Sequence, residues 1–171
     1  MKRIKFIILA SFIGVGSQAQ TTTPDTAVVN FVTNATKGGL MEVNSGKLAA
    51  QKGKSVEVKK FGTQMVTDHS KANAELTAIV EAKKWNITQP SPTLVAPDAM
   101  LTQSMGTDFD RSYVNMMVKD HKKTIVLFEH AASASPDPQI KAFAVKTLPI
   151  LKHHYMEIQK IGDKLQIAYD K

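Results

Sequence analysis

The chain contains no cysteine. That absence removes disulfides, thiolate zinc sites, thiol nucleophiles and iron–sulfur clusters together, so any metal has to be held by imidazole, carboxylate or thioether groups. Aromatic residues make up only 6% of the 171, and charged residues at 22% are too few for a disordered polyelectrolyte. Beyond the N-terminal segment, nothing approaches the run of about 18 consecutive apolar residues that a membrane-spanning helix needs. The patterns G-x-x-x-x-G-K-[ST], G-x-G-x-x-G, G-x-S-x-G and H-E-x-x-H are all missing. Phosphate-loop, dinucleotide, serine-hydrolase and zinc-protease chemistries therefore lack support. Lysines are spread over the chain without aromatic interleaving, which reads as a solvated surface, and no nucleic-acid partner is expected.

What is present begins with a targeting pattern. Lys2, Arg3 and Lys5 precede a short apolar run from Phe6 to Val15, and the small residues Ser17 and Ala19 stand three and one positions before a cut ahead of Gln20. This is the layout of a cleaved secretory signal peptide over residues 1–19, and the apolar run is too short to span a bilayer. No Cys follows it to carry a lipid anchor. Removal leaves 152 residues, one domain over 20–171, and takes three basic side chains, so the formal charge falls from +7 to +4. A periplasmic or secreted protein is expected, with envelope or outer-membrane association as its partner surface.

The mature chain reads as all-α, because its apolar residues recur at helical rather than strand spacing. Helix A is expected from Pro24, with Thr23 as N-cap, to Gly53. Helix B is expected from Ser55, its N-cap, to the neighbourhood of Trp85. Helix C should start near Asp108 and stop before Ser133, and helix D should start at Asp137-Pro138. Pro149 falls inside D and should kink or loosen it. Residues 86–106 hold Pro90, Pro92 and Pro97 and form a long B–C connection, with room for one helical turn around Asp98–Ser104. At roughly 3.3 Å per extended residue this link can run the length of a helix, so B and C can lie parallel, as in a ferritin-like four-helix bundle. A plain up-down bundle is the alternative.

An internal repeat is the most informative feature. Residues 65–71 read MVTDHSK and 117–123 read MVKDHKK. Each copy sets Met and His one turn apart on an apolar helix face, with Asp68 or Asp120 at its border. His69, His121 and His154 fall near the middles of B, C and D, and Glu42 near the middle of A, after Gly38-Gly39. Two successive glycines inside a helix cost about 1 kcal/mol each, so A either makes room for something or bends there. One level of the bundle thus gathers His69, His121, His154, Asp68, Asp120 and Glu42. Three readings stand side by side: a hydrogen-bonded network that fixes helix register, a metal site of inward-facing imidazoles and carboxylates, and other small-molecule chemistry. The metal would be a divalent transition ion: iron, zinc, copper or manganese. Met65 and Met117 read as core packing. His130 and His153 fall off the stripes and should be solvated.

The segments GGLMEVNSGKLAAQKG (38–53), VKKFGTQMVTDHSKANAEL (58–76), GTDFDRSYVNMMVKDH (106–121) and KAFAVKTLPILKHH (141–154) resemble the bacterial family of exported or outer-membrane-annotated proteins called domain of unknown function 4142. The resemblance spans essentially the whole mature chain. It implies a ferritin-like four-helix fold and an envelope location, with no established activity. Glu42, Asp68, His69, Asp120, His121 and His154 match its recurrent polar positions. The di-iron pattern Glu-x-x-His does not occur: Val66, Val118 and Leu151 stand three residues before His69, His121 and His154. A binding or stress-related module is the first functional expectation, a metal-dependent oxidoreductase the second, and a purely structural or interaction protein the third.

Overall fold

The computed structural model describes residues 23–169; the export signal read at 1–19 lies outside them. Among the described residues there are five helices: α1 Thr26–Lys52, α2 Val56–Ala82, the short α3 Ala99–Gln103, α4 Gly106–Ala134 and α5 Pro138–Lys164. Among the described residues no helix is long and apolar enough to cross a membrane.

The helix ends follow from capping chemistry. Ser55 Oγ accepts from the backbone N–H groups of Glu57 and Val58, and Asp137 Oδ1 accepts from those of Gln139 and Ile140. The start of α1 differs from the expectation. Its cap is Asp25, whose carboxylate takes the Ala27 N–H at 2.7 Å, rather than Thr23. An ionised acceptor at a helix N-terminus also meets the positive end of the dipole, which a hydroxyl does not. At the other extreme, α4 absorbs Ser133, because the Ser133 hydroxyl donates to the Glu129 carbonyl one turn back. It ends at Ala134 because Pro136 bars Ser135 from helical geometry. Pro149 does not interrupt α5. It lies on the solvent face, where the Val145 carbonyl it leaves without an N–H partner meets water.

The helices form a four-sided bundle in the order α1–α2–α5–α4. The long connection descends beside α1, where Asn44 donates to the carbonyls of Pro92 and Val95 and Lys52 to that of Thr102. It delivers Gly106, with φ +59°, against Gly53 at the far end of α1. Asp110 then receives the backbone N–H groups of Lys54 and Ser55. Because α2 and α4 start at the same end, they run parallel, which is the ferritin-like arrangement with a long connection between the second and third long helices.

Two apolar clusters fill the interior. One gathers Phe31, Leu76, Phe128, Ile140 and Phe143, with the Phe31 and Phe128 rings edge to face at 5.0 Å. The other gathers Phe61, Met65, Phe109, Tyr113, Met117 and Ile158. Met65 and Met117 are fully buried there, as packing residues. Between the clusters lies a polar layer containing Glu42, His69, His121 and His154, each at least 94% buried.

The α1–α2 seam is closed by glycines. A Cβ on Gly46 would stand 2.6 Å from the Gly62 carbonyl oxygen, and one on Gly62 would stand 2.7 Å from that of Gly46. Gly39 makes room for the Asn73 amide, whereas a Cβ on Gly38 would meet nothing within 4 Å. The expected accommodation at Gly38-Gly39 therefore belongs to Gly39 alone. Gly46→Ala or Gly62→Ala should lower stability in denaturant unfolding by about 1–3 kcal/mol, because backbone cannot retreat as a side chain can. Gly38→Ala should instead raise it by up to about 1 kcal/mol.

Candidate metal centre

Each member of the polar layer comes from a different long helix: Glu42 from α1, His69 from α2, His121 from α4 and His154 from α5. Ring centroids of the three histidines lie 5.7, 5.4 and 5.5 Å apart. One ring nitrogen of each lies within 4.8 Å of those of the other two.

Every ring is held from outside by its other nitrogen. His154 Nε2 donates to Asp68 Oδ2 at 2.9 Å, and His121 Nδ1 donates to the Met117 carbonyl at 3.0 Å. A backbone carbonyl only accepts, which assigns the His121 proton to Nδ1, and the Asp68 bond assigns that of His154 to Nε2, so His121 Nε2 and His154 Nδ1 carry bare lone pairs. His69 Nδ1 lies 3.0 Å from Glu42 Oε2, while Glu42 Oε1 lies 3.4 Å from His121 Nδ1. When the proton of the Glu42–His69 pair sits on Nδ1, His69 Nε2 presents a third lone pair. His69 Nε2, His121 Nε2 and His154 Nδ1 are all buried without a protein hydrogen-bond partner. Three imidazoles oriented by outer carboxylates or a carbonyl, with their remaining nitrogens free, are the arrangement in which protein histidines ligate metals.

Burial sets the protonation states. It holds the His69 imidazole well below its usual range, helped by the neighbouring rings of His121 and His154. It pushes His121 down to about 3 and lowers His154 against the opposing pull of Asp68. The same burial, with the field of Asp120, raises the Glu42 carboxyl to about 8. Tyr113, two turns before His121 on α4, is fully buried, and burial and Glu42 together push its phenol up. Its hydroxyl, like Glu42 Oε1, has no protein hydrogen-bond partner.

Of the six residues expected at this level, the structure brings His69, His121 and His154 together. Glu42 and Asp68 stand behind them as supports for the rings. Asp120 points elsewhere: it is half-buried in the α1–α4 cleft near Lys119 and Lys123 and reaches the centre only through its field on Glu42. His130 is exposed, and His153 lies outside, near Glu157. Two contributors escaped the sequence reading. The Met117 carbonyl has no side-chain signal. Tyr113 had one, since 113, 117 and 121 share a stripe at four-residue spacing.

The metal-free protein should show two opposed pH effects. The three histidines charge in the unfolded chain as pH falls below about 6.5 but resist charging when folded, so their contribution is present above 6.5 and is lost progressively toward about 3. Glu42 has the opposite sign: the folded state keeps its proton where the unfolded chain releases it, so its contribution is present below about 4.5 and lost as pH rises to about 8. With three protons against one, stability in chelator-treated protein should peak near neutrality and fall steeply on the acid side. In melting curves across pH, Glu42→Gln should flatten the alkaline limb, and His69→Gln/His121→Gln the acid limb.

No curated protein matches the chain by sequence. Solved structures resemble it in fold at low identity. A DUF305 fragment from Deinococcus radiodurans superposes with TM-score 0.72 at 11% identity, over 84% of this chain and 99% of its own. CopM in its Cu(I)-bound form gives 0.68 at 14%, over 80% and 96%. A Bacillus halodurans protein described as a "putative spore coat protein" gives 0.68 at 10%, over 85% and 92%. The family model described as "Domain of unknown function (DUF4142)" matches residues 14–161, and the chain belongs to that family.

Proposed function

We propose that the protein is an exported envelope module that holds one transition-metal ion on His69, His121 and His154. The observation that carries this reading is the set of three buried ring nitrogens without partners, one on each of three helices. A network serving only to fix helix register would use those nitrogens, since leaving a buried donor or acceptor unpaired costs about 1–3 kcal/mol. An ion restores what the layer lacks. Nitrogen ligands at about 2.0–2.1 Å in tetrahedral geometry lie roughly 3.3 Å apart, so the rings draw inward from their 4.8 Å spread when they bind. Three neutral imidazoles with no thiolate favour copper or zinc over manganese. The Cu(I)-bound state of CopM, a bundle of the same fold, supports a metal in this architecture. The basic, apolar and small residues of 1–19 support export to the periplasm or beyond.

A second reading rests on the ligand count. Three protein ligands leave a fourth position open, as catalytic rather than closed structural sites do. It casts the protein as a metal-dependent oxidoreductase, in which peroxide- or oxygen-dependent turnover disappears with the ligands.

Mature protein loaded separately with iron, copper, zinc and manganese should retain one copper or zinc ion per chain by elemental analysis. His69→Ala/His121→Ala should retain none. Asp68→Asn and Glu42→Gln should bind about 10–100-fold more weakly, because the outer partners orient the rings. At an ion concentration 100 times the dissociation constant, binding should add about 2.7 kcal/mol to stability. Sub-stoichiometric retention of all four metals, or retention unchanged in the double variant, refutes the centre.

A further inference from the structure

The polar layer can be approached from two sides. Between α2 and α5 runs a cleft of about 100 Å³, with Asp68, Glu75 and Lys146 at its mouth and His69, Thr147 and His154 along its walls. Behind it lies a void of about 20 Å³, room for one water. The void shares His69, Thr147 and Leu151 with the cleft and reaches Glu42. The approach between α1 and α4 is wider, about 530 Å³, but it meets no histidine. Glu42 closes its floor, with its carboxyl oxygens beside the Nδ1 atoms of His69 and His121, the nitrogens already in use.

The seams of the bundle also differ in what holds them shut. Three lysine–carboxylate pairs cross from α2 to α5: Lys83–Asp137 toward one end, Glu57–Lys164 toward the other, and Glu75–Lys146 at the cleft itself. Lys83–Asp137 is part-buried, whereas the other two are exposed, and exposed pairs are weak and are screened by salt. The α1–α2 seam, by contrast, sets glycine backbone against glycine backbone. The α2–α5 seam is therefore cheaper to open than the α1–α2 seam. Its mouth carries a half-exposed carboxylate, Asp68, that is already bonded to His154. Of the cations there, Lys146 is matched by Glu75 and Lys71 stands at the edge.

We propose that the α2–α5 cleft is the port of the centre: Asp68 captures an incoming hydrated divalent transition-metal ion, and parting of the Glu75–Lys146 pair admits it to the histidines. The port sets the class of what enters. About 100 Å³ holds several waters, so a partly hydrated ion or a small inorganic molecule passes. An organic ligand, which needs about 300 Å³ or more, does not. The port rests on the metal reading above, and equilibrium stoichiometry separates the failure of one from the failure of the other.

The test follows Zn²⁺ transfer to and from a chromogenic chelator. Lys146→Met should speed both uptake and release by up to about five-fold, the most an exposed pair is worth, with stoichiometry unchanged. Added NaCl should accelerate release from the wild type more than from the variant, which has lost the screened pair at the cleft. A chain without cysteine allows a selective clamp. Glu75→Cys/Lys146→Cys joined by a short bis-maleimide should load at least about ten-fold more slowly than the same protein unlinked, because seam opening is blocked. Normal stoichiometry with unaltered rates in both variants overturns the port alone, as does slowing produced instead by a Lys37→Cys/Lys123→Cys clamp across the other cleft. Absence of bound Zn²⁺ and Cu²⁺ in the wild type at equilibrium overturns the centre and the port together.

Discussion

The structure depends on the burial of three uncharged imidazoles in one layer across the bundle. Desolvation works against a proton on each of them, because a charged ring there would face two other rings and little water. Once neutral, each ring has one N–H and one lone pair to place. The N–H groups go outward, to Asp68 and to the Met117 carbonyl, with Glu42 serving His69. The lone pairs go inward, and no protein donor is there to meet them. The layer is thus poised for an electron-pair acceptor by the same burial that makes it costly.

That cost explains why apolar clusters lie on both sides. Phe31, Phe128 and Phe143 pack above the layer, and Phe61, Phe109 and Tyr113 below it. Phe61 stands against two of the rings, with centroids 6.4 Å from His121 and 6.2 Å from His154. These clusters keep water away and hold the four helices at the spacing the rings require. The seams share the load unequally. Glycines fix α1 against α2 at backbone distance, whereas α2 meets α5 through surface ion pairs and the Asp68–His154 bond.

Much of this was legible in the residues. Helical spacing gave the four long helices and the turn at 99–103, and the prolines marked the long connection. His130 and His153 were separable from the other three because they fall off the apolar stripes. The division of labour between ligands and supports was harder to read, yet helix geometry contains it. Consecutive residues on a helix diverge by about 100°, so Asp68 and His69 cannot both face the axis, nor can Asp120 and His121. The aspartate of each repeat has to face a seam. What it meets there depends on the neighbouring helix, which no single segment encodes. The cap of α1 was misplaced for a related reason: Thr23 and Asp25 both carry acceptors, and only the chain path decides which one turns back on the helix.

The repeat also explains why the layer has three histidines rather than four. The bundle order α1–α2–α5–α4 puts α2 and α4 on one diagonal. A half-turn about the bundle axis that carries α2 onto α4 carries α5 onto α1. Asp68 reaches across its seam to His154 of α5, and the matching position on α1, across the seam that Asp120 lines, holds Glu42. The first is a hydrogen bond that orients a ring; the second is a field that adds to burial, the larger cause, in raising the Glu42 carboxyl. Glu42 then lies near the outer nitrogens of two rings at once, which a fourth imidazole, with a single N–H to give, could not do. One substitution in an otherwise twofold layer turns a closed set of four rings into three rings around an open position, with an adjustable carboxyl behind two of them.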